Sequence, residues 1–127
     1  MTGSGGAGIR AWLAQVWPRT EAALVLAGGD VGVPCADGPV LGEIFDDAGL
    51  AELRGLATEG EFTGDICRCP GSLTVALLDA GGAVAGAAGL HGGTDLAWER
   101  GRFRNNLAVA DPQGLCAFLR RYGAHWL

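Results

Sequence analysis

Hydrophobic residues recur at helical spacing in three segments of the chain. The first predicts a helix from about residue 8 to residue 17, with an apolar face formed by Ile9, Trp12, Leu13 and Val16. The second follows Asp46 or Asp47 as N-cap and ends near residues 58–60. The third begins at Asp111, an N-cap followed by proline, and predicts a closing helix.

Short apolar runs and alternating segments predict strands in the rest of the chain. Residues 21–26 and 40–45 are expected to form two N-terminal strands. Between Asp65 and Trp98 the sequence predicts three tight turns, at Pro70-Gly71, at Ala80-Gly81 or Gly81-Gly82, and at Gly92-Gly93. Three turns predict a meander of four antiparallel strands. The expected fold is therefore α+β, with a mainly antiparallel sheet and about three helices.

The loop lengths decide which side chains share a face of this meander. Two-residue loops would place Asp79 opposite Gly82 and His91 opposite Thr94, so that Trp98 lies opposite Ala87. One face then carries the predicted core residues Ile66, Leu73, Val75, Leu77, Val84, Ala88 and Leu90. The opposite face carries small residues edged by Cys67, Cys69, Thr74, His91, Leu96 and Trp98. A slip of one residue in a loop would reverse these faces.

Small side chains on a sheet face have two explanations. A helix could lie close against them, or they could line a recess that receives a ligand. On the second explanation, the predicted ligand-binding residues are Cys67, Cys69, Thr74, His91 and Trp98.

Composition restricts the class of protein. The chain has 127 residues, 49% of them hydrophobic, which is enough for one core, and we expect a disordered N-terminus over 1–8 and a single domain over 9–127. The net charge of −5 argues against binding to a nucleic-acid backbone. No apolar run is long enough for a membrane span and no export signal is evident, which predicts a soluble, cytoplasmic protein with free thiols. A homodimer would be unsurprising.

Several motifs after Val40 resemble those of an uncharacterised group of bacterial proteins. The motifs are Cys67-x-Cys69-x-Gly71, then Leu90-His91, and Leu96-x-Trp98. The group's pattern has Asp, a second His and Arg at the positions of Ser72, Gly92 and Ala97. The resemblance implies no activity, and these departures imply that any chemistry carried by those polar residues is altered in this chain.

Three functions fit the predicted site. Cys67 and Cys69 point the same way on a strand and, with His91, could bind Zn²⁺ or Cu(I). Either thiol could instead be a nucleophile activated by His91, with Asp95 nearby. The third hypothesis is an accessory protein that binds a small apolar or aromatic molecule, or a protein partner, on the Ala/Gly face. The sequence identifies no substrate and no reaction, and the third hypothesis is the one we favour.

Overall fold

The computed structural model describes residues 4–28, 39–63, 73–99 and 106–127, and side chains from Gly8 onward. In chain order the elements are α1 (Ser4–Val16), a short 3₁₀ helix (Trp17–Arg19), β1 (Ala22–Ala27), β2 (Val40–Ile44), α2 (Asp47–Thr58), β3 (Gly60–Thr63), β4 (Leu73–Leu78), β5 (Val84–His91), β6 (Asp95–Trp98), β7 (Asn106–Val109) and α3 (Pro112–Arg121). The α+β class with an antiparallel sheet is confirmed.

The strands form one sheet in the order β2-β1-β4-β5-β6-β7-β3. Every pair in it is antiparallel. The sheet does contain a four-strand meander, but it consists of β4 to β7 and does not begin near residue 65. Residues 73–78 pair with β1 on one edge and with β5 on the other. Both edges of β4 are thus occupied by described strands, and the predicted strand before Pro70-Gly71, its core residue Ile66 and that turn lie outside the described residues.

Two predicted helix caps are confirmed by side-chain hydrogen bonds. The carboxylate of Asp46 accepts from the backbone N–H of Gly49 at 2.8 Å, and that of Asp111 accepts from Gly114 at 2.9 Å. Helix α1 begins at Ser4, within the segment 1–8 that was expected to be disordered. The low helix propensity of glycine is a weak preference and does not exclude a helix in this segment.

The short strands β3 and β7 were not predicted as strands. Each is four residues long, which is too short for alternating hydrophobic and polar positions to identify a strand reliably. They pair with each other, and Phe62 lies opposite Leu107. This pairing brings the chain after α2 next to the last strand before α3.

The hydrophobic core lies between one face of the sheet and the three helices. Its strand residues include Val25, Val75 and Leu90, and its helix residues include Leu53 and Phe118. The opposite face is also largely buried, since the exposed fractions are small at its members Leu26, Ala76, Ala87 and Ala97. No described helix is long and apolar enough to cross a membrane.

Gly55 should be replaceable by alanine with a gain in stability. It lies inside α2, is exposed, and a Cβ added there would meet nothing within 4 Å. Alanine restricts the unfolded chain and favours helix, so we expect Gly55→Ala to raise the free energy of unfolding by about 0.5–1 kcal/mol. Urea unfolding followed by circular dichroism measures this. A loss of stability would mean that this part of α2 is not an exposed helix interior.

Candidate ligand-binding site

The hairpin between β5 and β6 has a three-residue loop, one residue longer than predicted. His91 lies opposite Asp95, and the backbone N–H of Thr94 donates to the carbonyl oxygen of His91 at 3.3 Å. Gly92 and Gly93 both have positive φ angles, 63° and 73°, as their turn signal predicted. The extra loop residue moves all of β6 by one position, which exchanges the two faces of that strand.

Trp98 consequently lies in the core and not on the face that carries His91. It pairs with Ala88, so the predicted pairing with Ala87 is wrong. Its side chain is 0% exposed, and its indole N–H donates to the carbonyl oxygen of Ala57 at 2.9 Å. Leu96 changes face for the same reason and is 0% exposed. Trp98 therefore has no accessible surface with which to contact a ligand.

The hairpin between β4 and β5 also has a longer loop than predicted. The carboxylate of Asp79 accepts from the backbone N–H groups of Gly81 and Ala83, at 2.9 and 3.0 Å. Leu77 lies opposite Gly86, a shift of two residues from the prediction, which leaves the faces of β4 unchanged. A register irregularity follows, and Val84, predicted to be in the core, is 42% exposed. The prediction for Val84 is wrong.

Two of the predicted site residues, Thr74 and His91, lie on the second face of the sheet and are buried. The hydroxyl of Thr74 donates to the carbonyl oxygen of Gly28 at 3.0 Å, which gives this side chain a structural partner. The ring of His91 lies over Gly89, since Nε2 is 3.5 Å from the position a Cβ would take there. His91 is 8% exposed and directly precedes the β5–β6 loop.

The two cysteines of the predicted site, Cys67 and Cys69, lie outside the described residues. The soft-metal site and the activated thiol therefore stay predictions from the sequence. Within residues 4–28, 39–63, 73–99 and 106–127, no group of three or more His, Cys, Asp or Glu side chains is placed to hold a metal ion.

A cavity of about 760 Å³ lies between the β5–β6 loop, α3 and the last residues of the chain. We call it the α3 cavity. Its described lining consists of Gly92, Gly93, Thr94, Pro112, Gln113, Cys116, Arg120, Trp126 and Leu127. The wall is largely apolar and open to solvent on one side. Its volume lies within the range of about 300–1,000 Å³ that is typical of small-molecule sites.

Helix α3 supplies one wall of the cavity because of its residue spacing. Gln113, Cys116 and Arg120 are three and four residues apart and share one side of the helix. The buried residues Leu115 and Phe118 lie on another side and hold α3 against the core. The helix can therefore present a polar and thiol-bearing side to the cavity without losing its packing.

A hydrogen bond joins α3 to the β5–β6 loop at the base of the cavity. The thiol of Cys116 donates to the carbonyl oxygen of Gly93, with an Sγ···O distance of 3.3 Å. Sγ is also 3.6 Å from the position that a Cβ would take on Gly93. A side chain at Gly93 would need a strained backbone, because its φ is +73°, although its Cβ would be in ordinary van der Waals contact with the thiol. The two walls are thus held at close approach.

The chain after α3 supplies the opposite wall. Arg120 Nη1 donates to the backbone oxygen of Leu127 at 2.6 Å and so links this segment to the helix. Trp126 is 54% exposed and lines the cavity. No ring contact or hydrogen bond engages its indole among the residues that the structure describes. A flat apolar surface is therefore available for a ligand to cover.

A second recess, of about 140 Å³, lies where α1 meets the end of α2. Arg10 and Arg54 line it together with Glu59 and Trp17. The Arg10 guanidinium already donates to the carbonyl oxygen of Gly60 at 2.8 Å and lies over the ring of Phe62. The recess is well below the usual size of a site for an organic ligand.

Sequence reasoning did not find the α3 cavity. One pattern could have drawn attention to it, namely the side of α3 that carries Gln113, Cys116 and Arg120. The sequence does not predict that Trp126 and Leu127 lie against that side of α3, because their position depends on the turn after the helix.

No protein-family model matches this chain, and neither a curated protein nor a solved structure is detectably similar to it. The resemblance to the bacterial group therefore stays an observation on the sequence motifs. The function has to be argued from the geometry of the site.

Proposed function

We propose that this protein binds a small, apolar, aromatic molecule, and that the ligand occupies the α3 cavity. The observation that carries the proposal is an open cavity of about 760 Å³ with an exposed indole in its wall. The hypothesis from the sequence named a small ligand or a protein partner. The volume favours the small ligand, since protein partners usually cover larger surfaces.

The site proposed from the structure is displaced from the one predicted from the sequence. The predicted face holds Thr74 and His91, which are buried, while Trp98 belongs to the core. The β5–β6 loop follows directly on His91 and leads into the α3 cavity. Trp126 takes the role that the sequence analysis assigned to Trp98, as the aromatic surface at the edge of the site.

The apolar wall supplies the main driving force for binding. A planar aromatic ligand would remove the exposed surface of Trp126 from water and stack on its ring, an arrangement worth about 0.5–1.5 kcal/mol beyond the area buried. Thr94 and Gln113 place hydrogen-bonding groups among the apolar ones. A few polar groups on an apolar wall orient a ligand and make binding selective.

Replacing Trp126 with alanine should weaken binding of an aromatic probe. We expect the uncharged probe 1-naphthamide to bind the parent protein saturably and to raise its melting temperature, because a ligand that binds only the folded state stabilises it. In Trp126→Ala the dissociation constant should rise about five- to tenfold, since the stacking surface is removed. Isothermal titration calorimetry measures both constants.

Phe45→Ala is the matched control for this experiment. Phe45 is 64% exposed, more than Trp126, and is not among the lining residues of the α3 cavity. The affinity for 1-naphthamide should be unchanged in Phe45→Ala. Equal weakening in both variants would mean that the probe adheres to exposed aromatic side chains in general. That result, or an absence of saturable binding to the parent protein, would contradict the proposed function.

A further inference from the structure

Three neighbouring strands at the β3 end of the sheet carry polar side chains on the face opposite the helices. In the middle strand, β7, Ala108 lies opposite Asp95 of β6 on one side and opposite Glu61 of β3 on the other. Asn106 is two residues earlier on the same face of β7 and lies opposite Thr63 of β3. The alternate residues of β7 belong to the hydrophobic core, which fixes the face. We call these five residues the β7 patch.

The β7 patch carries two negative charges that no described residue balances. The Asp95 side chain is half-buried and the Glu61 side chain is exposed. Neither carboxylate forms a hydrogen bond or an ion pair within the described part of the chain. Neighbouring strands are about 4.8 Å apart, so these two residues lie about 9.6 Å apart, with the methyl group of Ala108 between them. This spacing leaves room for a cationic group between the two carboxylates.

Asn106 adds a hydrogen-bond acceptor to the patch that lacks a partner. The residue is 3% exposed, and its Oδ1 atom accepts no hydrogen bond from any described group. Unpaired buried acceptors are unfavourable and rare, so each one in a native structure calls for an explanation. A hydrogen-bond donor on a ligand would satisfy this oxygen. The patch therefore combines an unbalanced negative charge with an unpaired acceptor.

We infer that the β7 patch binds the primary ammonium group of a small molecule. An ammonium group has a positive charge and three N–H donors, which match the carboxylates of Asp95 and Glu61 and the amide oxygen of Asn106. A metal ion is disfavoured, because no group of three or more His, Cys, Asp or Glu side chains among the described residues is placed to hold one. No residue of the patch lines the α3 cavity, so the inference is independent of the proposed function.

Butylammonium and 1-butanol are probes that separate the charge from the hydrocarbon chain. They share the butyl group, and only the first is a cation at neutral pH. At low ionic strength, we expect butylammonium chloride to shift the amide signals of Glu61, Ala108 and the Asn106 side chain saturably in ¹⁵N-labelled protein. The same concentrations of 1-butanol should leave these signals unchanged. The titration, followed by heteronuclear NMR, gives the dissociation constant.

Two substitutions within the patch test the roles of its residues. Glu61→Gln keeps the shape of the side chain and removes one charge, so the dissociation constant for butylammonium should rise about threefold, a typical effect at an exposed ion pair. Asn106→Leu removes the unpaired acceptor, and the constant should rise about tenfold because a hydrogen bond to a charged group is lost. Glu61→Gln is at an exposed position and keeps the inference testable if Asn106→Leu does not fold.

Glu43→Gln is the matched control, because it removes the same charge at the other end of the sheet. Glu43 is exposed and lies on β2, the edge strand farthest from β3. The affinity for butylammonium should be unchanged in this variant. Weakening equal to that in Glu61→Gln would mean that overall charge is responsible and would overturn the inference.

Three further results would overturn the inference. The first is an absence of saturable shifts in the patch with butylammonium, and the second is an equal response to 1-butanol. The third is a set of saturable shifts with magnesium chloride and none with butylammonium, which would make the patch a metal site. Binding of 1-naphthamide in the α3 cavity would stand in each case, since it involves other residues.

Discussion

Replacing Trp98 with alanine is expected to lower the free energy of unfolding by about 3–5 kcal/mol, the range for a large aromatic residue in a core. The side chain is 0% exposed, and its ring makes edge contacts with Trp12 and Trp17, at centroid distances of 6.3 and 6.2 Å. It also caps α2. The indole N–H of Trp98 donates to the carbonyl oxygen of Ala57, which lies in the last turn of the helix, where carbonyl groups have no partner within the helix. Urea unfolding monitored by circular dichroism measures the change.

Two further variants keep this prediction testable. Trp98→Phe retains one aromatic ring and loses the hydrogen bond to Ala57 together with part of the buried volume, so a smaller loss of about 1–3 kcal/mol is expected. This variant tests the prediction if Trp98→Ala does not fold. Trp126→Ala should change stability by only about 0.5 kcal/mol, because that residue is 54% exposed. Similar costs at Trp98 and Trp126 would contradict the corrected register, in which only Trp98 belongs to the core.

Replacing Gly123 with alanine is expected to destabilise the protein by about 3 kcal/mol, through backbone strain and overpacking together. The residue follows α3 with φ at +102°, and an added Cβ would collide with the carbonyl group of Leu41 in β2. The approach is reciprocal, since a Cβ on Gly42 would collide with the carbonyl group of Tyr122. Neither backbone can move without disturbing the packing of α3. Thermal and urea unfolding of Gly123→Ala measure the effect.

Gly82→Ala separates the two causes of this loss. Gly82 has a similar positive φ of 83°, but a Cβ added there would meet nothing within 4 Å. It should therefore cost only the backbone strain, about 1–2 kcal/mol. If Gly123→Ala cost no more than Gly82→Ala, the close contact between β2 and the turn after α3 would be absent in solution.

Much of the fold could be predicted because its signals are local. Asp46 and Asp111 cap helices through short-range hydrogen bonds, and the Gly92-Gly93 dipeptide has the positive φ angles that its turn requires. The first two strands were predicted to within one residue at each end. Helix caps, turns and short strands of this kind depend on a few neighbouring residues, so they can be predicted from a single sequence.

The order of the strands could not be predicted, because it depends on contacts between distant segments. β1 lies between β2 and β4, and β3 pairs with β7 across a long stretch of chain. No periodicity in the sequence encodes these choices. The prediction that β4 pairs with the segment before Pro70-Gly71 followed the usual preference for sequential neighbours, whereas β1 occupies one edge of β4 and β5 the other.

The one extra residue in the β5–β6 loop removes Trp98 from the candidate site. A two-residue loop after His91 would have put Trp98 on the same face as His91, and the three-residue loop puts it in the core. The side-chain period of a strand is two, so every residue of β6 changed face together. The site that the structure offers instead uses Trp126, whose position depends on the turn at the end of α3.

The most direct test of ligand binding in the α3 cavity is a titration of ¹⁵N-labelled protein with 1-naphthamide, followed by heteronuclear NMR. Two glycine loops at opposite ends of β5 serve as site and internal control. The account predicts saturable shifts in the amide signals of Gly92, Gly93 and Thr94 and in the indole signal of Trp126, with Gly81 and Gly82 unchanged. Shifts at Gly81 and Gly82 instead, or no saturable shift in the β5–β6 loop, would contradict it.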